Sequence, residues 1–422
     1  MKNKRKISLP LLGLIAAAGI ALLAIGCTSI TPSGWSGAAI SQQTLFIGTP
    51  RGDLLALDTG NGNQRWAKPL VGPSRGGFGC FGPGGASSAV YGTPAVAGNL
   101  VYSSSYNGTL YAFDASDGTE KWKYPRSGAV APIVSGPAMS GDTLVFGDSA
   151  GKVYALGAAD GSEKWTYQTG GKVWATPTLD GQSVYVPDLD GRLYALDVFN
   201  GSLRWKTEKM GGLLANATSN ADLVFIGSLD NNFYAVDKST GAEKWRFPGG
   251  NFFWASPILR DSTVVAANTD GTVYALDTTK GKPAWSWKPA TGVSISSTPV
   301  VTGETIAVGG SDGKLYLLNG ATGKPVRDPI TTSTTGGTTI EGPLAANGDI
   351  VYARVSSGKT VFVIGYDVKT GSQVLSKELV AAPTPAPAAP TSSSPFNWQF
   401  ILISILFIVV IFLLMSRRTA KP

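Results

Sequence analysis

The sequence predicts an all-β protein, an eight-bladed β-propeller of four-stranded blades, and three observations support this prediction. A pattern, Gly-x-(Leu/Val)-Tyr-Ala-Leu-Asp-x-x-x-Gly-x-x-x-Trp, recurs along the middle of the 422-residue chain. Its second glycine falls at positions 62, 118, 161, 201, 241, 281, 323 and 371, and three successive steps are 40 residues long. A period near 40 with short apolar runs is typical of a propeller, in which each repeat forms one blade. The repeats place the propeller at residues 35–380.

Each repeat supplies four predicted strands. We expect the first strand to begin at Tyr91, Trp174, Trp254 or Ser297, and the second to be an apolar run such as residues 144–146. The Leu-Tyr-Ala-Leu run forms the third strand, and the fourth carries the tryptophan. Asp-Gly pairs such as 190–191 stand between the second and third strands, where a tight hairpin needs a positive φ.

The tryptophan that ends each repeat is the basis of a family resemblance. The repeats resemble the pyrroloquinoline quinone (PQQ) repeat family, in which a tryptophan near the outer edge of each blade docks against the neighbouring blade. The matching residues are Trp66, Trp122, Trp165, Trp205, Trp245 and Trp285. Arg327 and Leu375 stand at the same position in the last two repeats and depart from the pattern. The resemblance implies that these tryptophans are structural.

The family resemblance leaves the function open. The family includes quinone-dependent alcohol dehydrogenases, sensor ectodomains and the BamB-like lipoprotein that assists outer-membrane β-barrel assembly. A dehydrogenase of this family would be expected to carry adjacent cysteines and a Ca²⁺ site of acidic and amide oxygens. This chain has two separate cysteines, Cys27 and Cys80, and its Asp188-Leu-Asp190-Gly segment coincides with a blade hairpin. We therefore expect no enzyme activity, no PQQ or Ca²⁺ cofactor and no metal site.

Composition excludes several further classes of function. The chain contains no histidine, which excludes Ser-His-Asp and Cys-His catalysis, histidine-ligated metals and c-type haem attachment. The formal charge is +7, but seven basic residues lie within the first six and last six positions. Without them, 28 basic residues face 28 acidic ones. A nucleic-acid-binding domain would concentrate positive charge on its folded part, so no nucleic-acid partner is expected.

The N-terminal sequence predicts an export signal. Basic residues at positions 2–6 precede an apolar run at 7–25 and then Gly26-Cys27. Residues 1–26 are predicted to be a signal peptide that ends in a lipoprotein-like box, with lipidation of Cys27. The alternative is an uncleaved signal-anchor helix, because the apolar run is long.

The C-terminus predicts a stalk and a membrane anchor. Residues 381–396 form a Pro/Ala/Ser linker, which favours extended polyproline II. Residues 398–416 contain an uncharged apolar run and predict a transmembrane helix, and the basic residues of 417–422 predict a cytoplasmic tail. The propeller is then expected on the extracytoplasmic side of the cytoplasmic membrane of a bacterium.

Candidate binding residues lie in the loops between blades. The loops that join the fourth strand of one blade to the first strand of the next all emerge on one face, and loops of propellers commonly carry function. The aromatic candidates on these loops are Trp174, Phe252, Phe253, Trp254, Phe78 and Phe81. Buried aromatic anchors with a polar rim suit protein partners, and aromatic platforms also bind sugars. The alternative is that Trp174 and Trp254 plug the central channel.

These observations predict a membrane-anchored extracytoplasmic propeller that binds other envelope proteins as a scaffold or assembly factor. A receptor or sensor for envelope glycans is the alternative, and a quinone-dependent dehydrogenase is the third interpretation.

Overall fold

Eight antiparallel sheets follow one another along the chain, and in the first seven the strands pair in sequence order as a meander. A computed structural model describes residues 36–70, 89–332, 337–358 and 360–379. All regular elements in these ranges are strands, and none of the ranges contains a helix that could cross a bilayer. The prediction of an eight-bladed all-β propeller is confirmed. The predicted signal segment, linker, transmembrane helix and basic tail lie outside the described residues.

Blades one to four each take four consecutive strands. Blade one comprises β1 (Ala38–Ser41), β2 (Thr44–Gly48), β3 (Asp53–Asp58) and β4 (Gln64–Pro69), and blade two comprises β5 (Ala95–Ala97), β6 (Leu100–Ser105), β7 (Thr109–Asp114) and β8 (Glu120–Tyr124). Blade three comprises β9 (Ala138–Ser140), β10 (Thr143–Gly147), β11 (Lys152–Gly157) and β12 (Glu163–Gln168), and blade four comprises β13 (Thr178–Asp180), β14 (Ser183–Pro187), β15 (Leu193–Asp197) and β16 (Leu203–Lys206).

Blades five to eight continue the series. Blade five comprises β17 (Thr218–Ser219), β18 (Leu223–Gly227), β19 (Asn232–Asp237) and β20 (Glu243–Pro248), and blade six comprises β21 (Ile258–Arg260), β22 (Thr263–Ala267), β23 (Val273–Asp277) and β24 (Pro283–Trp287). Blade seven comprises β25 (Val300–Thr302), β26 (Thr305–Gly309), β27 (Lys314–Asn319) and β28 (Ile330–Thr331), and blade eight comprises β29 (Thr338–Ile340), β30 (Ala345–Asn347), β31 (Ile350–Ser357), β32 (Thr360–Asp367) and β33 (Gln373–Glu378). In blade eight, β29 and β30 both pair with the long strand β31.

The middle strands are apolar on both sides because each blade packs between two others. In β15, Tyr194 and Leu196 pack against blade three, whereas Leu193 and Ala195 pack against blade five. Successive side chains of a strand point to opposite faces, so a run of Leu-Tyr-Ala-Leu fills two interfaces at once. This double burial explains why the third strand is a continuous apolar run and not an alternating one.

The first strands begin later than the sequence predicts. The expected starts at Tyr91, Trp174, Trp254 and Ser297 precede the observed strands, which follow the proline of each entry segment. Proline has no N–H to donate to the sheet, so the paired strand begins after it. The residues before the proline lie at the propeller axis. The segments that precede the prolines therefore line the centre of the ring.

The face on which those segments lie follows from strand direction. Loops 169–177, 207–217 and 249–257, with their counterparts in the other blades, join the fourth strand of one blade to the first strand of the next. They share a face with the turns between second and third strands, and we call it the entry face. Turns between third and fourth strands lie on the opposite face.

The docking tryptophans contact the next blade in two ways. The Trp205 ring packs on the turn glycine Gly241, where a Cβ atom would lie 2.5 Å from the ring, and Gly241 has a φ of +72°. The Trp205 indole Nε1 also donates to the Lys238 carbonyl at 2.9 Å. The other five tryptophans donate to the corresponding carbonyls at 2.9–3.0 Å: Ala115, Ala158, Val198, Thr278 and Gly320.

At the last two blade contacts, an arginine and a leucine take the place of the docking tryptophan. The exposed Arg327 guanidinium covers Gly371 of blade eight, and Leu375 of blade eight reaches Gly62 of blade one. Leu375 also joins Leu45, Leu57 and Val363 in one buried cluster between blades eight and one. Within the described residues, the ring therefore closes by side-chain packing, without a strand exchanged between its ends.

The docking contacts predict that truncation of the docking side chain destabilises the protein by different amounts in different blades. Trp205→Ala should lower the free energy of unfolding by about 3–5 kcal/mol, the usual cost of removing a buried aromatic ring. Arg327→Ala should cost about 1 kcal/mol or less, because Arg327 is exposed. Urea unfolding of the purified chain measures both values, and equal losses would contradict the assigned role of the tryptophans.

Candidate functional site

A repeated pair of residues at the start of blades two to eight builds the candidate site. The first residue of the pair is buried between blades, and the second lines a cavity on the propeller axis. The pairs are Val90–Tyr91, Ile133–Val134, Val173–Trp174, Leu213–Leu214, Phe253–Trp254, Ile295–Ser296 and Ile340–Glu341. The first side chain of each pair thus anchors the segment between two blades, and the second side chain lies at the axis.

The axial cavity has a volume of about 370 Å³ and is lined by the entry segments of blades two to eight. Its wall is formed by the second residues of these pairs, with Trp174, Leu214 and Trp254 on three consecutive blades. Tyr91 lies on blade two, where its ring pairs with that of Tyr106 at 5.5 Å between centroids. We call Tyr91, Trp174 and Trp254 the aromatic wall, and serine, threonine and asparagine side chains add polar surface elsewhere in the lining.

A belt of hydrogen bonds lies two residues further along each segment. Each side-chain oxygen of the belt accepts the backbone N–H of the preceding blade: Gly136 to Thr176 (2.9 Å), Thr176 to Asn216 (2.8 Å), Asn216 to Ser256 (3.0 Å) and Ser256 to Thr298 (3.3 Å). These bonds link blades three to seven around the axis and satisfy backbone groups that proline-interrupted segments leave outside the sheets. The belt was not predicted from the sequence, although its residues recur at a spacing of 40 to 42 residues.

Two of the predicted binding residues, Trp174 and Trp254, line the cavity, and Phe252 is in the same loop as Trp254. Trp254 is 41% exposed, and its neighbour Phe252 is 45% exposed. The Trp174 indole donates to Ser149 Oγ at 3.0 Å, and the ammonium of Lys172 lies 5.5 Å from the centre of the Trp174 ring. These contacts fix the orientation of Trp174 in the wall.

Phe253 requires a correction, because its side chain is a core residue. It is 1% exposed and packs between blades five and six with Phe225, Phe233 and Tyr274. A Cβ atom on Gly249 would collide with the Phe253 ring, which shows how closely the Gly249 backbone approaches that ring. Phe253 is thus unavailable to a partner from the entry face. Phe78, Phe81 and Cys27 lie outside the described residues.

Glu341 and Arg354 form a charged pair that the sequence analysis missed. Arg354 is buried in blade eight, and its Nη1 lies 3.9 Å from Oε2 of Glu341. Burial lowers the pKa of Arg354 to about 10, and the Glu341 carboxylate acts in the opposite direction. Nε and Nη1 of Arg354 have no hydrogen-bond partner among the described residues. Glu341 itself accepts hydrogen bonds from Thr339 Oγ1 (3.1 Å) and Ser356 Oγ (3.4 Å).

The residues of the cavity do not fit a quinone with its Ca²⁺ ion. Ca²⁺ takes roughly six to eight oxygen ligands, whereas the described lining offers the carboxylate of Glu341 and the amide of Asn216. Across the described ranges, no group of three or more acidic, cysteine or histidine side chains could hold a metal. Asp188 is buried in its hairpin, where its carboxylate accepts the N–H groups of Arg192 and Gly171.

These features define a PQQ-like repeat β-propeller with an aromatic-walled axial cavity. The chain belongs to the family described as outer membrane protein assembly factor BamB, whose model matches residues 28–169, 130–220 and 200–393. A comparison with curated proteins gives no match.

Solved structures share this fold at low sequence identity. The computationally designed Ika8 protein aligns with a TM-score of 0.66 and 19% identity, over 78% of this chain and 96% of its own. BamB from Moraxella catarrhalis aligns with a TM-score of 0.60 and 21% identity, over 78% and 92%. Quinohemoprotein alcohol dehydrogenase from Comamonas testosteroni aligns with a TM-score of 0.59 and 16% identity, over 77% and 71%. These likenesses establish the fold alone.

The adjacent residues Phe253 and Trp254 should respond oppositely to truncation. Phe253→Ala should destabilise the chain by about 3–5 kcal/mol, because it removes a buried ring between blades. Trp254→Ala should cost about 1 kcal/mol or less, because much of its ring faces solvent. Urea unfolding of both variants provides the measurement. A larger loss for Trp254→Ala than for Phe253→Ala would show that the cavity wall is part of the core.

Proposed function

We propose that this protein is a membrane-anchored extracytoplasmic scaffold that binds a protein partner on the entry face of its propeller. Membership of the BamB-type family supports a protein-binding or assembly role. The observation that carries the proposal is the exposure of Trp254 in the cavity lining and of Phe252 in the same loop. Large exposed aromatic side chains are costly to leave in water and are the usual anchors of protein interfaces.

The surroundings of these rings suit a docking site. Both belong to a loop fastened by buried Phe253, and the hydrogen-bond belt holds the neighbouring blades. A preorganised surface loses little conformational entropy on binding. Trp174 and Trp254 form the wall of an open cavity, a geometry that favours docking over the plug interpretation.

The membrane anchor determines where partners are available. The predicted helix at 398–416 would hold the chain in the cytoplasmic membrane, with a lipid on Cys27 as a second attachment. The expected partners are then envelope proteins that reach the outer side of that membrane. An outer-membrane assembly role would not suit a chain held in this way.

The scaffold is proposed to act without catalysis. The two cysteines are not adjacent, and the cavity residues do not match the donor set of a quinone–Ca²⁺ centre. Dye-linked alcohol oxidation by the folded chain after addition of PQQ and Ca²⁺ would overturn this part of the proposal.

Site-specific photo-crosslinking in native membranes tests partner binding. A crosslinking amino acid at position 254 should give discrete adducts with one protein or a few, identifiable by mass spectrometry. Phe199 is the matched control, because it is an aromatic residue, 70% exposed, on a turn of the opposite face. Position 199 should give no such adducts.

The crosslinking pattern separates the alternatives. The same bands from positions 254 and 199 would contradict docking on the entry face. A smear from position 254 that collapses after glycan-hydrolase treatment would favour the glycan receptor instead. Crosslinks confined to position 199 would move the interface to the opposite face.

A further inference from the structure

The lining of the axial cavity carries a negatively charged side chain. Among the described residues that line it, Glu341 is the charged side chain, and that side chain is 47% exposed. Glu341 belongs to blade eight. In a ring of eight blades, blade eight lies opposite blade four, which carries Trp174. The acidic group and the aromatic wall therefore face one another across the axis.

The Glu341 carboxylate is positioned but retains capacity for a further donor. Thr339 and Ser356 each donate one hydrogen bond to it. The Arg354 guanidinium lies behind it at 3.9 Å, beyond hydrogen-bond distance, and is itself buried. An ionised carboxylate offers about four acceptor positions, so the exposed side of Glu341 can accept further N–H donors from the cavity.

The aromatic wall also favours a positive charge. The faces of tryptophan and tyrosine rings attract cations, and the Lys172 ammonium already lies over the ring of Trp174. Trp254 and Tyr91 stand on blades two positions away from Glu341 on either side, and no charge from the described residues covers Trp254. A cation at Glu341 would therefore have aromatic neighbours.

The floor and the size of the cavity suit a peptide segment. Each belt hydroxyl, such as those of Thr176 and Ser256, accepts a backbone N–H and keeps its own proton to donate. Such donors match the carbonyl groups of an extended chain. A volume of about 370 Å³ is at the small end of ligand pockets, which span roughly 300–1,000 Å³, and holds a long side chain but not a folded element.

We propose that the axial cavity binds a cationic side chain of an extended segment of the partner protein, with Glu341 as its acceptor and Trp254 beside it. This inference rests on the proposed function, because it specifies what the docked protein inserts. Arginine fits best, since its planar guanidinium can donate to a carboxylate and stack on a ring at the same time.

The test compares two peptides that differ in one charge. A short peptide of glycine and serine with one central arginine is titrated into the full-length chain labelled with 5-fluorotryptophan. The control peptide carries citrulline, which has the shape of arginine without its charge. The ¹⁹F resonance of Trp254, assigned with Trp254→Phe, should shift saturably with the arginine peptide, and citrulline should bind about ten-fold more weakly.

Charge-matched variants locate the acceptor. Glu341→Gln should reduce binding of the arginine peptide to the citrulline level. Glu208→Gln is the control, because Glu208 is an exposed acid of the entry face outside the cavity lining. It should leave binding unchanged. Because the two peptides are also compared on the unaltered chain, the test does not depend on the folding of Glu341→Gln.

The outcomes distinguish this inference from the function on which it rests. Equal binding of both peptides, or none, would overturn the cationic assignment, while crosslinks from position 254 would leave the scaffold function standing. A Trp254 shift produced by chitin oligosaccharides but not by the arginine peptide would also overturn it. Absence of both peptide binding and position-254 crosslinks would overturn the two proposals together.

Discussion

The propeller depends on one contact, the packing of a fourth-strand side chain on the turn glycine of the next blade. In six interfaces this side chain is tryptophan, whose ring fills the space that a Cβ atom would take and whose indole N–H satisfies a carbonyl. Glycine is required because the turn has a positive φ and the ring lies against it. The contact fixes the distance and angle between blades, and eight such steps close the ring.

Closure in turn determines what is free for binding. Since each blade is buried on both faces, nearly all its large apolar residues are committed to the interfaces between blades. At the axis the alternation of side chains releases one residue from each of blades two to eight, and the hydrogen-bond belt fixes the backbone of blades three to seven. The same chain thus uses tryptophan in two ways, as the docking residue at six of the eight blade contacts and as part of the cavity wall at the centre.

The repeat predicts the number of blades and the order of strands, because double burial imposes the same apolar runs at each period. It does not separate Phe253 from Trp254, since both are aromatic, adjacent and in the same loop. Their opposite orientations depend on which side chain the neighbouring blade covers, a long-range contact. Glu341 and Arg354 were missed because the eighth repeat departs from the pattern and splits its inner strand, so no period marks these positions.

The tryptophans at the cavity and the buried docking tryptophans should differ in accessibility, and the partner should cover only those at the cavity. Hydroxyl-radical footprinting of the full chain, in native membranes and after purification, tests this directly. Trp174 and Trp254 should be oxidised in the purified chain and protected in membranes, while the buried docking tryptophans Trp66, Trp122, Trp165 and Trp205 should react weakly in both. Equal oxidation of Trp254 in the two preparations, or strong oxidation of Trp205, would contradict the account.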